Sequence, residues 1–530
     1  MILLLLSCAT DAEPALVALG NREQLIRLSV DLRGVHPSEE ELLAIEADLD
    51  LYDQYVDRYL ADPRFLDRVE EILNTRMLTR DGRTYFDPGQ AGLVVSDADV
   101  ADSVGDEPLK LARHIVDNDL PWSELVLADY TMADPVLAAM WDLEHEGEGW
   151  ATARYRDGRP HAGVLTMTTT WLRYPSAGVN ANRHRANAVS RILLCDDYLA
   201  RPVSFERSQI DAITTGDPEQ VIADTPTCQS CHSSLDPLAA HFFGFWWDTE
   251  DAGLDEGTLY RPEDENLWRD HADREPGFYG HPTADIQDLA GMIAEDPRFA
   301  DCAVETFFEG LTQRRTTDAD WEELALHRNA FSESNQHVKT LVRSIVLSPE
   351  YRARSTSDPE LAERLVPVKT LGPHQLESVV EDITGYRWSF DGRGISDNAE
   401  GLAVLAGGID SRDVVEGSHD PSVGLLSIQE RLAWSAAHHV VGHDLDPART
   451  EDAILLRYVT HETRPPDEAF EAQIRSLYVD VTGLPLAEEA REPALMAQLW
   501  TEVHTVNGDP DEAWATVLSV VLRDPHLLFY

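Results

Sequence analysis

The sequence predicts a mainly α, multi-domain protein in which helical modules flank a small central module. Three observations predict it. At 530 residues the chain is too long for one ordinary core. Apolar residues recur at helical spacing over most of the length, punctuated by Gly and by Asp-Pro pairs. One central stretch departs from that pattern, being rich in Arg, Asn and aromatic residues and holding three of the five cysteines. The expected units are a tether over 1–20, an N-terminal helical domain over 21–150 and the central module over 151–250. An acidic loop with a helical companion domain over 251–354 and a C-terminal helical domain over 355–530 follow.

The charge bounds the partners. There are 43 Lys+Arg against 96 Asp+Glu, a net of −53. Such a surface repels nucleic acid and anionic lipid headgroups. It suits a strongly hydrated protein, a basic partner or loosely held cations.

The chain begins with an apolar run that ends Leu5-Leu6-Ser7-Cys8. This resembles a bacterial lipoprotein lipobox with Cys8 as the lipidated residue, although the run is short and has no Lys or Arg before it. The other reading of Cys8 is an isolated cysteine in a frayed tail. No later stretch reaches the roughly 18 consecutive apolar residues of a membrane span. Membrane attachment is therefore expected only through lipid at Cys8.

From Asn21 to about Trp150 the pattern is helical, with Leu42, Leu43, Ile45, Leu49, Tyr52 and Val56 near helical spacing. Asp62-Pro63 closes one helix and opens the next, because proline suits a first helical turn. The run Leu111 to Tyr130 is amphipathic and is interrupted by a turn at Asp119-Leu120-Pro121-Trp122. The pattern Leu28 to Pro37, leading to Asp62-Pro63-Arg64-Phe65, echoes near the C-terminus. There Leu477 to Pro485 leads to Asp524-Pro525-His526-Leu527. A looser echo runs from Phe307-Phe308-Glu309-Gly310-Leu311 to Pro349. Each reads as a helix with a glycine C-cap followed by two more helices.

The central module begins near His161. Its Arg183-His184-Arg185-Ala186-Asn187 segment is a basic island in an acidic chain. The decisive stretch is Cys228-Gln229-Ser230-Cys231-His232, a C-x-x-C-H. That is the attachment signal of a c-type haem. Two thiols three positions apart can each form a thioether with a porphyrin vinyl group, and the histidine that follows can be the proximal iron ligand. A zinc site would need four ligands, and there is no second Cys pair to complete one. A disulfide between the two cysteines remains the other reading. Arg185, with Arg183 and Arg191, suits the carboxylates of haem propionates, since arginine forks bind carboxylates; each equally suits an ion pair with nearby acids. The dense aromatics Phe242-Phe243-Gly244-Phe245-Trp246-Trp247 would exclude water from an iron. A backbone carbonyl near Asp236 to Leu238 is expected to hold the second ring nitrogen of His232.

Here the resemblance to a family becomes specific. Gly163-Val164-Leu165-Thr166, then Arg185 with Leu193-Leu194-Cys195, then C-x-x-C-H followed by Leu235-Asp236-Pro237-Leu238 and Phe242 resemble the planctomycete-type cytochrome c domain families. These are large exported proteins whose other domains have no assigned function. Glu295-Asp296-Pro297-Arg298-Phe299-Ala300-Asp301-Cys302 resembles their helical companion domain. The segments Leu28 to Phe65 and Leu111 to Ala133 resemble their N-terminal helical domains. The likeness covers about two thirds of the chain and is thinnest beyond Arg354. Where the family continues Asp-Pro-x-Gly after the motif, this chain has Ala239. The resemblance implies a cytochrome c-like central module, covalent haem c, extracytoplasmic location (periplasm, outer membrane or cell surface) and an unknown redox partner. It implies no substrate.

Met167 is the first choice for the sixth iron ligand, being in the same module, with Met292 and His184 after it. Cys195 and Cys302 are the remaining cysteines, and in an exported protein they are expected to pair. From Asp248 to His281 the composition reads as a surface loop, and Ser355-Thr356-Ser357-Asp358-Pro359 as a linker. Leu371 to Thr384 and Leu425 to Val441 are helical. Two functions follow. One is an exported mono-haem protein for electron transfer, alone or as the redox module of an oxidoreductase. The other is a non-haem helical surface lipoprotein with a scaffold role, its C-x-x-C-H closed as a disulfide or part of a metal site. No G-x-S-x-G, Walker, dinucleotide or H-E-x-x-H signature is present.

Overall fold

The computed structural model describes residues 16–83, 89, 92–177, 180–202, 218–245, 260–271, 274–389, 393–396, 401–449 and 452–530. The protein is mainly helical, with 59% helix, 6% strand and 24 α-helices among the described residues. None of these helices is long and apolar enough to cross a membrane. Cys8, Trp246 and Trp247 lie outside the described residues.

After β1 (Leu16–Ala18) the chain enters α1 (Asn21–Arg33), the helix on which the two main cores meet. Residues Gln24 through Leu32 are all buried. Leu25, Leu28 and Leu32 pack into a first core, while Ile26 and Val30 pack into a second. A helix apolar on more than one side is buried on more than one side. Gly34 ends α1 at φ 70°, a left-handed cap that glycine adopts without a Cβ penalty. Then come α2 (Glu39–Ala47), α3 (Tyr52–Leu60) and α4 (Pro63–Met77), the last capped by Asp62 with Pro63 in its first turn.

The helix α5 (Asp97–Asp117) packs along α4. Beyond α6 (Glu124–Leu127) the chain is not helical as expected. Strand β2 (Thr131–Ala133), helix α7 (Pro135–Met140) and strands β3 (Leu143–Glu144) and β4 (Ala151–Tyr155) form an antiparallel sheet of order β2-β4-β3. The sheet covers α5 through a small core that includes Val104, Leu137, Trp141 and Tyr155. Its strands are two to five residues long, too short for an alternating pattern to stand out in sequence.

The central stretch contributes α8 (Thr168–Arg173), α9 (Arg183–Leu194), α10 (Pro218–Asp224) and α11 (Pro226–Ala239). The stretch read as a surface loop up to His281 is partly structured. It contains α12 (Trp268–His271) and a hairpin of β5 (Gly277–Phe278) with β6 (His281–Pro282), and it buries Tyr260 and Phe278. Next come α13 (Ile286–Glu295), α14 (Pro297–Thr312), α15 (Trp321–Glu333) and α16 (Val338–Val346). Helix α14 lies against both α4 and α9. The close approach to α4 requires Gly310, where a Cβ would meet the Ile72 side chain at 2.8 Å. Gly310 is thus a packing residue inside α14 and not the cap expected from the sequence echo; the left-handed cap is Gln313. The three stretches expected as separate domains over 21–150, 151–250 and 251–354 share one apolar core, from Leu25 to Tyr351.

The expected linker at Ser355 begins within a strand. β7 (Ala353–Thr356) pairs antiparallel with β1. After the short exposed α17 (Pro359–Ala362), the second core follows, with α18 (Pro373–Thr384), α19 (Leu402–Leu405) and α20 (Val423–Asp444). It is completed by α21 (Glu468–Thr482), α22 (Glu492–Asn507), α23 (Pro510–Val521) and α24 (Pro525–Leu528). Helix α23 packs between α20 and α22. The run α21 to α24 repeats the order of α1 to α4: a helix ended by a left-handed glycine, here Gly483 at φ 72°, two further helices, then an Asp-Pro start.

Candidate functional site around the C-x-x-C-H helix

Helix α11 starts at Pro226, where proline's fixed φ suits the first turn, after Thr225 in extended conformation. Cys228, Cys231 and His232 therefore stand at i, i+3 and i+4, on one face. Neither thiol is in a disulfide. Cys228 is buried at 7% exposure, and Cys231 is half-buried against the first core.

The orientation of His232 is set by its own helix. Its Nδ1 lies 2.9 Å from Oδ1 of Asp236, one turn on. A carboxylate can only accept, so Nδ1 carries a proton, and in the neutral ring the lone pair is on Nε2. Nε2 makes no hydrogen bond among the described residues. The expected partner for this ring was a backbone carbonyl; the structure supplies the Asp236 carboxylate instead. The His-x-x-x-Asp spacing is a helix-face relation readable in the sequence, and it is the signal that was missed. Asp236 is itself buried at 2% exposure and receives Arg183 Nε at 2.8 Å. Burial pushes its carboxyl up, but the hydrogen bonds from His232 and Arg183 and the Arg183 charge outweigh this and hold it below the usual range. Arg274 stands 4.0 Å from Asp236 and donates to Gln229, whose own amide reaches the Ile222 carbonyl and ties α11 to α10.

A polar network lines the helix near Ser234. Tyr198 OH meets Ser234 Oγ at 2.8 Å and Tyr279 OH at 3.4 Å, and Tyr279 donates to Asp196 at 3.2 Å. Arg201 pairs with Asp196 at 2.6 Å and lies over the Tyr198 ring. No sequence pattern pointed to Tyr198, because its contact with Ser234 depends on how the turn after α9 meets α11.

The other predicted site residues divide. Arg185 is corrected. It is 0% exposed and donates to the backbone carbonyls of Tyr174, Phe242 and Phe245 and to Asn182. Burial pulls it down to about 9. A guanidinium enclosed by carbonyls has no open edge for a propionate; it clamps α9 to the turn beyond α11. Arg183 is committed to Asp236, and Arg191 donates to the Arg76 carbonyl and the Tyr174 hydroxyl. Met167 precedes α8 and is buried in the first core at 1% exposure. Met292 packs at the edge of that core, and His184 faces the Tyr174 ring. Phe242 and Phe245 pack on Trp171 with ring centroids at 4.6 and 6.0 Å. Cys195, the left-handed cap of α9, is joined to Cys302 of α14 by a disulfide that closes a sequence separation of 107.

Two thiols and one oriented imidazole on a single helix face fit the attachment chemistry of haem c. Among the described residues, no three His, Cys, Asp or Glu side chains are grouped to hold a bare metal ion. Comparison with known proteins finds no matching family model, curated protein or solved structure.

Proposed function

We propose that the chain is an exported c-type mono-haem protein that transfers electrons, either as a carrier or as the redox module of an oxidoreductase, as the resemblance to the planctomycete-type cytochrome c domain families implies. The observation that carries the reading is His232. Its Nδ1 is held by a buried carboxylate, which in the neutral ring puts the lone pair on Nε2, on the helix face that bears two free thiols. Bound haem would supply the one-electron chemistry. The chain's own contribution is to hold it through Cys228 and Cys231, ligate through His232 and fix that ring through Asp236. A carboxylate partner makes a ligating histidine more basic. The Cys195–Cys302 bond fits an oxidising, extracytoplasmic compartment. Attachment to the membrane, if any, is through lipid at Cys8.

The test is a pyridine haemochrome spectrum after denaturing extraction of protein made with a c-type haem maturation system. Haem should stay with the polypeptide and be lost in the Cys228→Ala plus Cys231→Ala variant. A colourless protein from cells that mature a control cytochrome would reject this reading in favour of the scaffold lipoprotein.

A further inference from the structure

His232 and Arg183 bond to the same atom. His232 Nδ1 lies 2.9 Å from Oδ1 of Asp236, and Arg183 Nε lies 2.8 Å from that oxygen. The second Arg183 contact, from Nη2 to Oδ2, is longer at 3.4 Å. A carboxylate oxygen has two lone pairs, so these two donors fill Oδ1. The sharing comes from packing. His232 and Asp236 stand one turn apart on α11, and Arg183 opens α9, which packs against α11. Little water reaches the pair, since the Asp236 and Arg183 side chains are 3% and 11% exposed. A third cation stands near without joining: Arg274 is 4.0 Å from Oδ2 and gives a hydrogen bond to Gln229 instead.

Two donors on one oxygen compete for its charge. The charge that a carboxylate offers to the far nitrogen of an imidazole makes the ring a stronger donor to a metal. A guanidinium on the same oxygen draws that charge away, and burial keeps water from screening it.

We propose that Arg183 is a positioning residue for the axial site: by sharing Oδ1 it limits how far Asp236 polarises the His232 ring, and so holds the reduction potential above the value that His232 and Asp236 alone would set. The effect on potential rests on His232 being the iron ligand, as proposed above. The competition for Oδ1 belongs to the polypeptide and can be read without haem. Arg274 carries the same charge and lacks the bond, so it serves as the control.

The experiment has two arms. In haem-loaded protein, redox titration of Arg183→Gln should show a more negative potential. The ferric-to-ferrous ratio at a fixed poise should rise about tenfold, or about 59 mV for one electron. Arg274→Gln should shift it less. In an Asp236→Asn background the Arg183→Gln shift should shrink, because the carboxylate through which Arg183 acts is gone. An unchanged potential in Arg183→Gln overturns the proposal. An equal shift in Arg274→Gln, or an undiminished one in the Asp236→Asn background, also overturns it, because either means a through-space charge. In haem-free protein labelled with ¹⁵N-histidine, the His232 Nδ1–H resonance is assigned by its loss in His232→Gln. It should move downfield in Arg183→Gln as its hydrogen bond to Oδ1 strengthens. A resonance that stays in place or moves upfield overturns the proposal. A chain that takes up no haem but shows the downfield move rejects the haem reading and the role in potential, while the competition for Oδ1 stands. If Arg183→Gln does not fold, Arg183→Lys, which keeps the charge and loses the fork, should give both shifts at smaller size. No shift there overturns the proposal.

Discussion

Asp31 and Asp236 are carboxylates at equal burial, each 2% exposed, and each gathers several side-chain donors. Their partners differ. Asp31 takes Lys369, the Tyr351 hydroxyl at 2.5 Å and the Tyr530 hydroxyl at 2.6 Å, all more than 300 residues away in sequence. Lys369 is 2% exposed and Asp31 is fully matched, so this cluster only holds the two cores together. Asp236 takes His232 from its own helix and Arg183 from the neighbouring one. It leaves His232 Nε2 unmatched and partly accessible, with the His232 side chain 20% exposed. A buried carboxylate that closes its network is structural; one that orients a ring and leaves the ring's far nitrogen open is arranged for a ligand.

The largest effect that could undo this contrast is expected from Asp31→Ala. It leaves the Lys369 ammonium buried without its counter-charge, which costs about 3–5 kcal/mol. Urea unfolding should show the loss. Asp236→Ala removes one acceptor from Arg183, which has another partner, and leaves the part-exposed His232 ring to water, so it should cost less, about 1–3 kcal/mol. Equal losses would remove the distinction between the two clusters. In the same variant the His232 ring loses its tautomer control, so the haem protein should show a changed reduction potential while Asp31 variants that still fold should not.

The disulfide tests the same contrast from the other end, because α9 carries Arg183 to Asp236 and is tied to α14 through Cys195. Cys195→Ser with Cys302→Ser should cost about 2–4 kcal/mol in the chain-entropy view. Amide hydrogen exchange should speed up more around α9 and α11 than around α1. The opposite order would mean that the crosslink holds the junction of the cores and not the motif helix.

The smallest expected effects are in the pH dependence, and they have opposite signs. The folded Asp236 carboxyl is held below its ordinary value, so its contribution is present above about pH 4 and is lost as pH falls further. Burial pulls Lys369 down to about 8 against the attraction of Asp31. Between there and its unfolded value the unfolded chain binds more protons, so stability should rise with pH. Above about pH 10 the trend should reverse, because burial holds Tyr351 and Tyr530 well above their ordinary value while the unfolded tyrosines ionise. Lys369→Met should abolish the alkaline rise and leave the acid limb unchanged.

Much of the helix plan is legible in the order of residues. Asp62-Pro63, Asp296-Pro297 and Asp524-Pro525 each open a helix through an Asp side-chain cap, and Gly34 and Gly483 close helices in left-handed conformation. These are local effects of one side chain or one φ angle on the adjacent turn. The short sheet under α5 was not legible, since strands of two to five residues carry too little pattern. Arg185 was misassigned for a related reason. Its charge suggested an anion, but its surroundings are carbonyls brought in from Tyr174, Phe242 and Phe245.

The amino-acid order alone sets the relations within three or four residues. Cys228, Cys231 and His232 share a helix face, and Asp236 stands one turn beyond His232. Those follow from the helical repeat and survive any arrangement of neighbours. Packing decides which distant groups meet. The 21–354 stretch folds around one core and not three, Lys369 finds Asp31 across 338 residues, and Tyr198 reaches Ser234 of the motif helix. Burial is a property of the whole packed chain, and it sets the strength and meaning of each charge. A charge read in sequence therefore has no assigned partner until the helices are packed.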